Sequence, residues 1–308
     1  MKKLCLAIFF GLTAMLGASA AEPDFARIIR QAAPASVWIR TDNGKIAGTG
    51  FFIRREGWLV TASAVLEKAE NCSILTADGK TLPARLAGSD PATGIAVLQV
   101  RGESFPVLQF ASSPAELSPA QWVTALGGPH PGGMTSAVGQ VLRVDPAGYI
   151  RTNAVINLCN AGGPLLNERG EVAGLNLPQA DGAGNCPTAL RGALVQKITG
   201  ELIQHGFVPR PYLGILLDEN MQIRAVAKHS PAADSLDPGD LLLKVNGQKL
   251  TSPQELLMIL EKTGAEAEIF LEIRRGSREL SGSLILRQAP RNWYAVFPRP
   301  PAISGKAL

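Results

Sequence analysis

The feature that most constrains this chain is a long succession of short Val-, Ile- and aromatic-rich runs, cut apart by Gly- and Pro-containing turns. A first group comprises Ser36–Arg40, Ala47–Ile53, Trp58–Thr61, Cys72–Leu75, Lys80–Leu86 and Ile95–Val100. A second comprises Trp122–Leu126, Met134–Val144, Tyr149–Thr152, Pro164–Leu166, Val172–Leu175 and Ala189–Val195. Asp-Asn-Gly, Arg-Glu-Gly and the hairpin pair Asp78-Gly79 supply the turns. Many short strands at this spacing predict a mainly β chain built on two antiparallel barrels. Helical spacing of Phe25, Ile28 and Ile29 predicts a helix over Phe25–Ala33, stopped by Pro34, and a second short helix is expected over Gln196–His205.

Composition narrows the function classes. The chain has 308 residues, 46% hydrophobic and 18% charged, with a formal net charge of +4. That is an ordinary globular balance, and the weak basic excess, without Lys/Arg clusters interleaved with aromatics, gives no case for nucleic-acid binding. Lys2 and Lys3, the apolar run Leu4–Leu16 and Ala18-Ser19-Ala20 read as a cleavable secretory signal over residues 1–20. The run is shorter than the roughly 18 residues a membrane span requires, and no later stretch is long and apolar enough to cross a bilayer. An exported, periplasmic protein is expected. His130, His205 and His229 are scattered, with no carboxylate or cysteine at ligand spacing, so neither a metal nor a cofactor is expected.

Four motifs, in order, carry a resemblance. Gly48-Thr49-Gly50-Phe51 is followed by Gly57-Trp58-Leu59-Val60-Thr61, then come Asp90-Pro91-Ala92-Thr93-Gly94-Ile95-Ala96-Val97-Leu98, Asn160-Ala161-Gly162-Gly163-Pro164 and Arg210-Pro211-Tyr212-Leu213-Gly214-Ile215. From about Phe25 to Gln288 this succession resembles the HtrA/DegP family of exported trypsin-like serine proteases. The resemblance implies a trypsin-like double antiparallel β-barrel over 21–207, an α+β PDZ domain over 208–289, and a Pro-rich tail over 290–308.

The same alignment of motifs shows what is missing. A triad needs a hydroxyl to attack, an imidazole to take its proton and a carboxylate to orient that imidazole. The family's histidine, aspartate and serine positions are filled here by Ala64, Gly94 and Ala161, so no catalytic residue is carried over. Loss of nucleophile or base costs on the order of 10⁶ in turnover. Cys159 replaces a glycine that donates to the oxyanion in the family, and a side chain there disfavours the usual glycine geometry. A thiolate–imidazole pair of Cys159 and His130 is the one substitute in the same barrel, against which stand the two-residue offset of Cys159 and the Gly/Pro-rich setting of His130. In this family the loops carrying Cys159 and Cys186 lie close, which implies a disulfide closing roughly 27 residues and worth about 3–4 kcal/mol. Unpaired thiols at Cys72, Cys159 and Cys186 are the alternative.

The PDZ-like part keeps its working pieces. Leu213-Gly214-Ile215 resembles a carboxylate-binding loop, and the strand running on to Leu217 is expected to pair with an extended peptide. Ser252 as N-cap, Pro253 in the first turn and Glu255 in a capping box start a helix whose Leu256, Ile259 and Leu260 face groove and core. Arg210 is a candidate for steering a peptide carboxylate, and Tyr212 precedes the loop. The expected function is therefore a catalytically inactive relative that binds peptides, unfolded segments or envelope-protein C-termini through its PDZ groove. The family's habit of forming trimers implies a homo-oligomer or a hetero-oligomer with an active relative. The alternatives are an endopeptidase using unrecognised residues, and a scaffold that only docks.

Overall fold

The computed structural model describes residues 24–41, 46–66, 71–112, 117–130, 133–178 and 187–290. The expected signal segment, Cys186 and most of the Pro-rich tail lie outside the described residues. The described residues open with helix α1 (Phe25–Ala32), whose N-cap Asp24 accepts from the Arg27 N–H. Six strands follow: β1 (Ser36–Thr41), β2 (Ile46–Arg54), β3 (Trp58–Ala62), β4 (Cys72–Leu75), β5 (Thr81–Asp90) and β6 (Ile95–Val100). They close into an antiparallel barrel in the order β1-β2-β3-β6-β5-β4. A second barrel, ordered β10-β11-β12-β9-β8-β7, is made by β7 (Trp122–His130), β8 (Gly133–Val144), β9 (Tyr149–Thr152), β10 (Pro164–Leu166), β11 (Val172–Leu177) and β12 (Thr188–Arg191).

Adjacent apolar residues divide between two destinations, as the period-2 geometry of strands requires. In β2, β3 and β6, Phe52, Leu59 and Leu98 fill the first barrel, whereas their neighbours Phe51, Val60 and Val97 face a seam shared with α1 and the second barrel. Leu165 and Leu166 split in the same way between the second barrel and the seam. The strands are buried on both faces, so they read as continuous apolar runs. Each fully buried Phe or Leu side chain contributes about 1.5–3 kcal/mol.

Two boundaries differ from the sequence reading. The strand expected over Ala189–Val195 ends at Arg191, and helix α2 (Gly192–His205) starts there. Val195, Ile198, Thr199 and Leu202 recur at helical spacing on its buried face, so the 3.6-residue period overrides the β preference of Val195. His130, expected in a loop, is the last residue of β7 and pairs with Gly133 of β8.

The C-terminal part is an α+β unit. Strands β13 (Pro211–Tyr212), β14 (Ile215–Leu217), β15 (Ile223–Val226), β16 (Leu241–Val245) and β17 (Gln248–Lys249) precede helix α3 (Pro253–Thr263). After it come β18 (Glu268–Arg275), β19 (Arg278–Ile285) and β20 (Arg287–Gln288). Ile269, Leu271 and Ile273 of β18 point into a core with Leu213, Leu242, Val245, Leu256 and Leu260. Arg275 braces this unit, its Nε and Nη2 donating to Asp240 at 2.8 and 2.7 Å while Nη1 lies 2.8 Å from Asp237. The Ser252 hydroxyl caps α3 by accepting from the Glu255 N–H. The Glu255 carboxylate reaches back one residue further than a capping box requires, accepting from the N–H and hydroxyl of Thr251, both at 2.8 Å.

Candidate functional site

The segments that carry Ala64, Gly94 and Ala161 meet at the seam between the barrels. Ala64 is exposed in a single turn, Ser63–Leu66, at the end of β3. The N–H of Ser63 donates to the Gly94 carbonyl at 2.8 Å, tying that turn to the β5–β6 connection. Ala161 is only 1% exposed, and its carbonyl accepts from the Thr49 N–H at 2.8 Å. A side chain at Gly48 would stand 2.9 Å from the Ala161 oxygen and 2.6 Å from Val65 Cγ2, so close approach dictates glycine there. Gly94 has φ 78°, a backbone setting that strains a side chain. The segments meet with methyl side chains at Ala64 and Ala161 and a hydrogen at Gly94.

In the loop before β10 the backbone donors are paired within the loop itself. The N–H of Ala161 and the N–H of Cys159, the two that would face a developing oxyanion, both donate inside the loop. Ala161 donates to the Asn157 carbonyl at 2.9 Å, and Cys159 donates to Asn157 Oδ1 at 2.8 Å. Asn160 locks the turn from the other side, its Oδ1 accepting from the Asn157 N–H and its Nδ2 donating to the Val155 carbonyl, each at 2.8 Å. Thr49 Oγ1 and Asn176 Nδ2 then hold the Cys159 and Asn160 carbonyls at 2.7 and 3.2 Å. An oxyanion hole works only if its donors are aimed at the reacting oxygen and otherwise unpaired.

The expected Cys159–Cys186 bridge involves Cys186, which lies outside the described residues. Cys159 is a free, exposed thiol, on a residue whose backbone N–H and carbonyl are both fixed by the loop. His205 lies near the C-terminus of α2, 3.7 Å from Glu201, and His229 lies in the C-terminal unit, so neither imidazole belongs to the seam.

In the C-terminal unit, β14 pairs with β15 alone, leaving its other edge open among the described residues. Leu213, Leu256 and Leu260 are core residues, and Ile215, Leu217 and Ile259 are partly buried on the surface of that core. Gly214 takes φ 84°, and a side chain there would collide with Ser230 Cβ at 2.1 Å. Tyr212 is half-buried opposite Arg287, and burial pushes its phenol pKa up. Arg210 is not available to steer a carboxylate. Its Nη1 and Nη2 donate to the two oxygens of Asp90, both at 2.7 Å, which ties the C-terminal unit to the first barrel. Asp90, read from sequence only as the start of a motif, is its buried partner.

A trypsin-like peptidase domain model matches residues 48–175 and a PDZ domain model matches 222–275. Among curated proteins, a "Probable periplasmic serine endoprotease DegP-like" of Marinomonas sp. (strain MWYL1) is 27% identical, covering 95% of this chain and 77% of that relative. A protein of the same name from Pseudomonas putida (strain W619) is 31% identical over 75% of this chain and 54% of that relative, so the chain spans little more than half of it. The crystal structure of the serine endoprotease from Yersinia pestis superposes with a TM-score of 0.75 at 28% identity, covering 86% of this chain and 97% of that one. The HtrA-type protease AlgW with decapeptide gives a TM-score of 0.75 at 22% identity, covering 86% and 99%, a likeness of fold. Fold, barrels and domain order together define a trypsin-like chain with a PDZ domain. In sequence and domain order it is similar to the HtrA/DegP proteases.

Proposed function

We propose that this is an exported, periplasmic member of the family that binds peptide segments through its PDZ groove and does not cut them. One observation carries the reading: at the nucleophile loop the hydroxyl is replaced by the Ala161 methyl, and both oxyanion donors are bonded to Asn157. Without a hydroxyl at Ala161, an imidazole at Ala64 or free donors at Ala161 and Cys159, the family's route to a tetrahedral intermediate is closed. The open edge of β14 supports peptide capture, since an added strand would satisfy its backbone groups while Ile215, Leu217 and Ile259 offer apolar contact. Unfolded segments and envelope-protein C-termini are the ligands this chemistry fits. The domain limits proposed are 21–207 and 208–289, and assembly into a trimer, alone or with an active relative, agrees with the family's habit.

The test uses purified full-length protein with unfolded casein and with serine- and cysteine-reactive probes. The reading predicts casein bound and intact, with no active-site labelling by the serine probe. Casein fragments appearing together with stoichiometric labelling would refute it.

A further inference from the structure

Strand β19 is a sheet edge of 8 residues that, among the described residues, has a neighbour on one side alone. It ends the order β17-β16-β18-β19, and Arg278 to Ser283 are all exposed. Its pairing with β18 runs from Glu268↔Ile285 to Arg275↔Arg278 without a bulge, and the strand carries neither lysine nor proline. Bulges, edge lysines and prolines are the devices by which native edges avoid one another.

One bond shows which backbone groups of β19 are free. The Leu286 N–H donates to the Ala267 carbonyl at 2.9 Å. Along an antiparallel strand the residues bonded to the neighbour alternate. Leu284, Gly282, Leu280 and Arg278 therefore bond β18, whereas Glu279, Ser281, Ser283 and Ile285 turn their N–H and C=O groups to the open edge.

The sequence along this edge, Leu280-Ser281-Gly282-Ser283-Leu284, reads the same in both directions. Laid antiparallel against a second copy about Gly282, it sets Ser281 opposite the partner's Ser283 and Glu279 opposite the partner's Ile285. Every outward residue then meets an outward residue, for about eight backbone hydrogen bonds. Leu280, 42% exposed, falls opposite the partner's Leu284. No charge faces its like, and Glu279 lies diagonal to the partner's Arg287. Gly282 itself is unexplained by the single chain: a Cβ built there meets nothing within 4 Å, and the residue sits in ordinary strand backbone. A glycine inside a strand often marks the close approach of another backbone. On the two-fold axis Gly282 would face its own copy with the Cα atoms about 4.5 Å apart.

The geometry points to β19 as a self-recognition edge, through which two copies join antiparallel about Gly282 and continue the four-stranded sheet across a two-fold axis. This contact is isologous, so it can couple two single chains or two of the trimers proposed above. The open edge of β14 belongs to a different sheet, which leaves peptide capture and self-pairing on separate strands. An edge this short makes a small interface, of the kind that forms and parts reversibly.

Sedimentation equilibrium of the full chain over a wide concentration range tests the proposal. Ser283→Pro removes an N–H that bonds nothing in the single chain, so the variant should fold while its edge no longer pairs. Gly282→Glu and Gly282→Lys each set like charges face to face on the axis, and an equimolar mixture of the two sets opposite charges there. The expected wild-type mass rises with concentration to double that of Ser283→Pro. Each charge variant alone should stay at the smaller mass, and their mixture should return to the doubled one. A wild type that keeps the mass of Ser283→Pro at the highest concentration overturns the proposal. A mixture that stays at the smaller mass overturns it as well, independently of how the proline variant folds. Doubling by either charge variant alone shows that copies meet elsewhere, which also overturns it.

Discussion

Replacing Arg210 by methionine should unfold the protein at a distinctly lower temperature and leave its affinity for peptides intact. Asp90 is 5% exposed at its side chain and Arg210 19%, so the two parallel 2.7 Å bonds between them lie largely out of water. Without the guanidinium the Asp90 carboxylate keeps one side-chain donor, Thr93 Oγ1 at 2.6 Å. Breaking a buried pair by removing one partner costs about 3–5 kcal/mol, because the other charge stays buried and uncompensated. The partial exposure of Arg210 places the expected loss near the lower end, about 3 kcal/mol. At about 2–4 °C per kcal/mol for a chain of this size, Tm should fall by about 10 °C. The assay is thermal unfolding by circular dichroism, run as a double-mutant cycle with Asp90→Asn. The double variant should recover part of the loss, since a neutral amide leaves no orphaned charge. A Tm shift below about 2 °C, with lost binding of free-acid peptides, would refute the reasoning and return Arg210 to the groove.

Other outcomes follow from the same geometry. Gly214→Ala must place a methyl at φ 84° against Ser230, and should destabilise the PDZ unit by about 2–4 kcal/mol, read as early proteolysis of that unit and loss of peptide capture. The triple variant Ala64→His, Gly94→Asp, Ala161→Ser should stay at least about 10³-fold slower than an active serine protease on a chromogenic ester, because each missing oxyanion donor costs about 10²–10³. Turnover near that of an active enzyme would show that the Asn157 loop opens readily. The Arg275 fork holds the Asp240 carboxyl below its ordinary pKa, so the ion pair stabilises the fold above the unfolded-state pKa and this contribution fades as pH falls through the lowered folded value. Urea midpoints between about pH 5 and pH 2 should fall more steeply for wild type than for Asp240→Asn.

The barrels were legible because their strands are short, apolar and separated by turns, and because burial on both faces turns them into continuous runs such as Ile95–Val100. The helix start at Gly192 was not, since Ala193-Leu194-Val195 satisfies a strand pattern and the helical register shows only once Ile198 and Leu202 are counted with it. At the nucleophile loop the missing hydroxyl can be read directly at Ala161. The internal bonding of its N–H cannot, because a carbonyl four residues back becomes its partner only when the backbone folds into that turn. Arg210 is the clearest misreading. Beside Tyr212-Leu213-Gly214 in sequence, it looks like part of the groove, and its partner Asp90 lies 120 positions away.

The central claim is that this chain holds peptides and leaves them whole, and mass spectrometry of a peptide mixture after prolonged incubation with the purified protein tests it most directly. The account predicts a retained set enriched in free carboxyl ends with apolar last residues, every recovered peptide at its starting mass. New fragments that accumulate with protein concentration and vanish on denaturation would contradict it.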